Sequence, residues 1–155
     1  MRMSRLAIVA TLAVAASLTL SGCGVAENAL NGAISEARAS VDDAVSEALG
    51  GAGISTDGEL PSGFPVDDVP LTGDIVGGGA GPQSSGWVVQ TRLADIAAFA
   101  EVQATLEGAG FESSAVSSDE EAGFGTFTSG AHTVVLAVAT GSDGVVTATY
   151  AVTRA

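Results

Sequence analysis

Lysine is absent from this chain of 155 residues, whose positive side chains are 5 arginines against 18 aspartates and glutamates, for a formal net charge of -13. Contacts with nucleic-acid phosphates and anionic lipid headgroups depend on clusters of Lys and Arg. The sequence has no such cluster, which excludes nucleic acid as a partner. A partner recognised through charge is expected to present a basic or neutral surface.

Cysteine and histidine are almost as scarce, with one residue of each, Cys23 and His132. A single cysteine cannot form an internal disulfide, and one Cys with one His cannot supply the usual zinc ligand set. No lysine is present as an alternative catalytic base, and the sequence lacks the G-x-S-x-G motif of hydrolases with a serine nucleophile. The sequence therefore predicts no metal, no cofactor and no catalytic residues.

The first segment that is present has the pattern of an export signal. Arg2 and Arg5 precede an apolar run from Leu6 to Leu20. The run has about 15 residues, whereas a helix that crosses the hydrocarbon core needs about 20. A cleaved signal peptide is therefore predicted over residues 1–22.

The end of the apolar run, Leu20-Ser21-Gly22-Cys23, resembles the lipobox of bacterial lipoproteins, in which an aliphatic residue and two small ones precede an invariant cysteine. The resemblance implies that Leu20, Ser21 and Gly22 are recognised by the signal peptidase. It also implies that the thiol of Cys23 carries a diacylglyceryl group, and that the new terminal amine is acylated by a fatty acid such as palmitate. An ordinary cleavage site after Ser17 or Ser21, with a coincidental cysteine, is the alternative.

Lipidation at Cys23 would leave a mature chain with 3 arginines against 18 acidic residues, a charge of -15. Stable retention on a membrane takes two or more acyl chains, because a single chain binds only marginally. The expected localisation is the extracytoplasmic face of the cell membrane, with the membrane itself as a partner through the lipid anchor.

Residues 23–58 are predicted to be a lipid-anchored helical tether followed by a glycine-rich linker. Apolar residues recur at spacings of three and four, which is typical of one helix face; they are Leu30, Ile34, Ala37, Val41, Ala44 or Val45, and Ala48 or Leu49. The segment from Gly50 to Gly58 has the composition of a flexible linker. The helix would pack on the domain, self-associate, lie on the lipid or fray, and the sequence leaves these alternatives open.

Residues 59–155 are predicted to form a small α+β domain. Its lead-in, from Leu60 to Leu71, holds three prolines and is expected to be extended, with Leu60, Phe64, Val66 and Val69 across a sheet. Short strands are expected at Asp74–Val76 and Gly86–Leu93, joined by a floppy loop from Gly77 to Ser85. This loop matches neither G-x-G-x-x-G nor G-x-x-x-x-G-K-[ST], which argues against a phosphate-binding loop.

One long helix is predicted from Ala94 to Ala109, with Asp95 near its start and a Schellman stop at Gly110 and Phe111. Beyond it the apolar period changes from 3.6 to 2, which predicts strands in a meander. The predicted fold is an antiparallel sheet with this helix packed across one face, preceded by the helical tether. The expected core is Trp87 or Val88, Phe99, Leu106, Phe111, Val134, Leu136 and Tyr150.

The domain also resembles uncharacterised small lipoproteins of high-GC Gram-positive bacteria. The resemblance rests on the strings LPSGFPVDDVPL, GWVVQT, LEGAGF and VTATYAVTRA and on their order. It implies no established activity, so Cys23 is the only functional residue that it assigns.

Two functions compete for this sequence. The first is a non-catalytic module that binds or modulates a cell-envelope component, either a protein or a wall polymer, through the solvent face of the sheet. That face would carry Val88, Gln90 and Arg92 or, one residue out of register, Trp87, Val89 and Thr91. The alternative is that the proline-rich lead-in covers this face, so no binding residues are assigned. The second is a small hydrolase that uses carboxylates, with Asp67-Asp68 or Asp119-Glu120-Glu121 as candidates. His132 is expected to be an exposed or turn-capping residue.

Overall fold

Six strands form one antiparallel sheet in the computed structural model, which describes residues 39, 41, 43–45, 48–50 and 53–155. The strands are β1 (Asp74–Ala80), β2 (Gly86–Leu93), β3 (Glu112–Ser118), β4 (Ala122–Thr128), β5 (His132–Thr140) and β6 (Val146–Arg154). Their order across the sheet is β1-β2-β6-β5-β4-β3. The predicted antiparallel sheet is therefore confirmed, and β6 lies near its middle.

The helix packed on this sheet is shorter than predicted. A 3-10 turn at Ile96–Ala98 leads into an α-helix of 10 residues, α1 (Phe99–Gly108). The Asp95 carboxylate caps this turn by accepting a hydrogen bond of 3.1 Å from the Ala98 amide. The α+β architecture is confirmed, but the single long helix from Ala94 to Ala109 is not.

The end of α1 follows the predicted Schellman arrangement. Gly110 has a φ of 91°, in the left-handed region that side chains with a Cβ disfavour. The Phe111 amide donates to the Leu106 carbonyl at 3.2 Å, and the Gly110 amide donates to the Glu107 carbonyl at 3.0 Å. Phe111 and Leu106 are both buried. The chain is thereby turned back from the helix into β3.

The main core lies between α1, the lead-in and one face of the sheet. Every residue of the expected core is buried: Trp87, Val88, Phe99, Leu106, Phe111, Val134, Leu136 and Tyr150. Trp87 faces this core, whereas its neighbour Val88 points to the opposite face and packs in a separate cluster. The alternation of side chains along a strand explains why both are buried.

The lead-in contacts the core through fewer residues than predicted. Phe64 and Val69 are buried, but Val66 is 52% exposed and does not lie across the sheet. The Trp87 indole N–H donates to the Ser62 carbonyl at 3.2 Å, and the Phe64 ring meets the Trp87 ring edge-on at 6.4 Å. The lead-in is thus held on the same face as α1.

The predicted floppy loop from Gly77 to Ser85 is wrong over its first half. Gly77–Ala80 belong to β1 and pair with β2, with Gly79 opposite Val88 and Ala80 opposite Trp87. Only the short segment that follows turns the chain, through a 3-10 turn at Pro82–Ser84. Glycine lowers strand propensity, so the sequence favoured a loop. Here the glycines form a strand because other segments pack closely against it.

The second face of the sheet is partly covered by a helix that precedes the domain. The described residues 39, 41, 43–45, 48 and 49 are helical. Ala48 and Leu49, at 0% and 4% exposure, are buried against Val88 and Ala151. Further along the chain, Ser55 forms an antiparallel bridge with Gly78. We call the described residues 43–58 the tether end.

The rest of the predicted tether, including the stripe residues Leu30, Ile34 and Ala37, lies outside the described residues, as does the signal peptide. The domain boundary at residue 58 stays a prediction. Among the described residues, no helix combines the length and the apolar character needed to span a membrane.

Candidate binding groove

An open groove of about 450 Å³ lies where the start of β1, the end of β2 and the first turns of the helix meet. It is lined by Thr72, Gly73, Asp74, Arg92, Leu93, Ala94, Ala98 and Glu101. Antiparallel pairing places Asp74 directly opposite Arg92. Glu101 is supplied by the first turn of α1. The lining therefore includes one arginine and two acidic residues together with the apolar residues Leu93, Ala94 and Ala98.

One wall of this groove is fixed by buried hydrogen bonds. The Thr72 amide donates to the Tyr150 hydroxyl oxygen at 3.2 Å, and the Thr91 hydroxyl donates to the Thr72 carbonyl at 2.7 Å. Burial raises the pKa of the Tyr150 phenol above its usual value. These bonds tie the end of the lead-in to β2 and β6, so the backbone beside the groove is held in place.

The two described arginines of the domain have different surroundings. The Arg154 guanidinium lies over the Trp87 ring, 5.3 Å from its centroid, in a cation–π contact. Arg92 is exposed and lines the groove. A guanidinium matches the geometry of carboxylate and phosphate groups, and carboxylates accept hydrogen bonds from amines and hydroxyls. Arg92, Asp74 and Glu101 thus bring to the lining residue types that recognise anionic groups and hydrogen-bond donors.

The two register alternatives of β2 are distinguished by burial. Trp87, Val89 and Thr91 face the main core. Val88, Gln90 and Arg92 belong to the second face, but Val88 is buried beneath the tether end and Gln90 is half-buried. Of the sequence-predicted face residues, only Arg92 lines the groove. Cys23, Leu20, Ser21 and Gly22 lie outside the described residues.

His132 differs from its prediction. It begins β5 and is only 7% exposed, with its ring 6.3 Å from the Trp87 ring, so it is neither an exposed nor a turn-capping residue. The turn is capped by Ser129, whose hydroxyl oxygen accepts from the His132 amide at 3.1 Å. Within the described part of the chain, the buried Nδ1 of His132 has no hydrogen-bond partner. The imidazole is packed beside the Trp87 ring.

The carboxylate candidates lie on exposed loops and not in the groove. Asp119 accepts hydrogen bonds of 2.8 Å from the Glu121 and Ala122 amides, and these bonds lower the pKa of its carboxyl group. Asp67 and Asp68 are exposed in the turn of the lead-in. In the part of the chain that the structure describes, no three His, Cys, Asp or Glu side chains form a group suited to holding a metal ion.

Sequence reasoning missed three groove residues, Thr72, Asp74 and Glu101. The charge pair across β1 and β2 was accessible in principle, because hairpin register places residues in pairs once both strands are known. The prediction of a loop from Gly77 onward shortens β1, so the sequence alone does not predict which residues of β1 and β2 lie opposite each other.

No protein-family model, no curated protein and no solved structure matches this chain. Functional assignment therefore depends on the residues themselves and on their arrangement.

Proposed function

We propose that this protein is a lipoprotein anchored on the extracytoplasmic face of the cell membrane, where it binds an envelope component without catalysing a reaction. The observation that carries the anchoring is the LSGC string, which ends an apolar run of signal-peptide length at Cys23. The observation that supports binding is the groove around Arg92, which offers charges of both signs on a wall fixed by Tyr150.

Two of the groups that a hydrolase could use, the Asp119 carboxylate and the His132 imidazole, are engaged in structural contacts. A general acid at neutral pH requires a raised carboxyl pKa, whereas the Asp119 pKa is lowered by its two amide donors. The His132 ring is packed against Trp87 and does not line the groove. These arrangements favour the binding module over the alternative, a carboxylate-dependent hydrolase acting on an envelope substrate.

The anchor is tested by the variant Cys23→Ser. Acyl chains contribute about 0.8 kcal/mol for each buried methylene, so their loss should release the protein into the medium or leave an uncleaved precursor. Detergent phase partition and the mass of the mature chain measure this directly. Ser21→Ala is the matched control, because it keeps a small residue in the motif and should remain in the membrane fraction. An unchanged membrane fraction for Cys23→Ser would exclude the lipid anchor.

The hydrolase alternative makes a different prediction. Turnover of an envelope-derived substrate that is lost in Asp67→Asn with Asp68→Asn, or in Glu120→Gln with Glu121→Gln, would favour catalysis over binding. The binding module predicts that these variants leave ligand affinity unchanged, while Arg92→Gln lowers it.

A further inference from the structure

We infer that the tether end is a docked part of the domain, so that the anchored protein is confined near the bilayer and its partner is a membrane-proximal component with a basic or neutral surface. This inference rests on the proposed lipidation of Cys23 for its link to the membrane. The docking itself rests on contacts within the described residues. A flexible linker would instead have allowed the domain to reach outward.

Glycines form the surface on which the tether end sits. A Cβ built at Gly86 would lie 2.7 Å from the Ala48 Cα. One at Gly79 would lie 2.7 Å from the Gly53 carbonyl oxygen and 2.8 Å from the Leu49 Cδ2. Real Cβ atoms do not approach other atoms this closely, so only glycine fits at these positions. Gly79, which the sequence presents as part of a loop, and Gly86 therefore form a docking surface for the described residues Ala48, Leu49 and Gly53.

The tether end also completes the edge of the sheet at β1. The Ser55 amide donates to the Gly78 carbonyl at 2.9 Å, and the Gly58 amide donates to the Val76 carbonyl at 2.9 Å. An edge strand presents unpaired amides and carbonyls that favour pairing with another chain. Here the chain pairs with its own edge, which fixes the glycine-rich segment against the domain.

Docking shortens the length of chain that can separate the domain from the anchor. With the segment from residue 43 onward docked, about 20 residues separate Cys23 from residue 43, and at 3.3–3.6 Å for each residue they span at most about 70 Å. With the chain free as far as residue 58, about 35 residues would span at most roughly 120 Å. Docking thus reduces the maximal reach by about 40%.

This limit narrows the class of partner. A mature charge of -15 disfavours a partner with an acidic surface, and Arg92, Asp74 and Glu101 are among the residues that line the groove. A component held at the membrane, such as the outer surface of a membrane protein, is always within reach. A wall polymer that extends away from the bilayer is within reach only over its innermost part.

The experiment measures the height of the domain above a bilayer. The full acylated protein in nanodiscs is labelled with a donor dye through Ser142→Cys, an exposed turn position, while Cys23 is blocked by its lipid. Energy transfer to acceptor dyes on lipid headgroups reports the distance. The undocking variant is Ala48→Glu, because it places a charge at a fully buried position. Its matched control is Ala39→Glu, the same change at an exposed helical residue that precedes the tether end.

We expect the wild type and Ala39→Glu to share one short, narrow distance distribution, and Ala48→Glu to extend to about 1.7 times the maximal height. Identical distributions for Ala48→Glu and the wild type would overturn the inference. Leu49→Gln provides a second undocking variant, and slow amide exchange in β5 and β6 verifies that either variant is folded.

Docking and anchoring fail separately in a second measurement. The Cys23→Ser variant can be measured without a membrane. In this variant the Ser55 and Gly58 amides should exchange slowly, and adding Ala48→Glu should make them exchange at least tenfold faster. Fast exchange in both would refute docking whatever the state of Cys23. Slow exchange together with no acylation of the wild type would refute only the anchor.

The partner class is tested with a photo-crosslinker at Thr72 in living cells. The expected result is a crosslinked product that fractionates with membrane proteins. A product that wall-degrading enzymes release from the wall would overturn the membrane-proximal assignment.

Discussion

Tyr150 is the residue whose chemistry can be isolated most cleanly in this protein. It is the only tyrosine, and lysine is absent from the chain. Of the side chains in this sequence, only tyrosine has an ordinary pKa between about pH 9 and pH 12, because that of cysteine is about 8.5 and that of arginine is above about 12. Its phenol is fully buried and accepts a hydrogen bond from the Thr72 amide. The alkaline behaviour of the fold therefore depends on one group.

Because burial raises the pKa of Tyr150 in the folded state, the unfolded chain ionises first. The stabilising contribution is complete below the unfolded value of about 10 and is lost as the pH rises through the folded value. We expect the free energy of unfolding to fall above about pH 10. Denaturant titration at several pH values, with absorbance of the phenolate in the folded protein, measures both effects.

The matched variant is Tyr150→Phe. Removing the hydroxyl oxygen leaves the Thr72 amide without its acceptor, which should cost about 1 kcal/mol at neutral pH. The same variant should lose the decline in stability above about pH 10. A decline of the same size in Tyr150→Phe would show that another group causes it.

At the scale of elements, the end of α1 separates two effects of glycine. Gly108 is the last residue of the helix, and Gly110 follows with a φ of 91°. A Cβ at either position would meet nothing within 4 Å, so crowding contributes to neither substitution. The backbone conformation alone distinguishes the two sites.

Gly110→Ala should destabilise the domain by about 1 kcal/mol, because alanine is strained in the left-handed region. Gly108→Ala should be neutral or stabilise it by up to about 0.5 kcal/mol, since alanine has the higher helix propensity. Thermal and denaturant unfolding of the two variants provide the comparison. Equal effects would mean that the left-handed turn relaxes at no cost.

Much of this domain could be predicted from local pattern. The period of two along Val134, Leu136 and Val138 placed the buried face of β5 correctly, and the residues around Gly110 placed the end of the helix. The extension of β1 could not be predicted, because Gly77–Ala80 form a strand only through contacts with residues distant in sequence. The burial of His132 likewise depends on Trp87, which lies on another strand.

At the scale of the whole molecule, the tether end covers part of the sheet face opposite α1. Two chains that begin at residue 39 and at residue 59 test its contribution. Both should unfold cooperatively, because the main core lies beyond residue 59. The shorter chain should be less stable by about 2–3 kcal/mol, since it loses the burial of Leu49 and exposes Val88.

The control for this comparison is Ala39→Glu in the longer chain, which should unfold like its parent. Equal stability of the two chains would show that residues 39–58 contribute nothing to the fold, and would support a domain that begins at residue 59.

The position of β6 has a consequence for the time at which the protein can fold. This strand lies between β2 and β5, yet it is the last of the six to be synthesised. Until it emerges, β1 and β2 have no partner that connects them to the β3–β5 meander, and Trp87 and Tyr150 cannot be enclosed together. The nascent chain therefore cannot complete its sheet or its core until the final strand is synthesised. A translocation channel that admits only unfolded polypeptide would receive it in a suitable state.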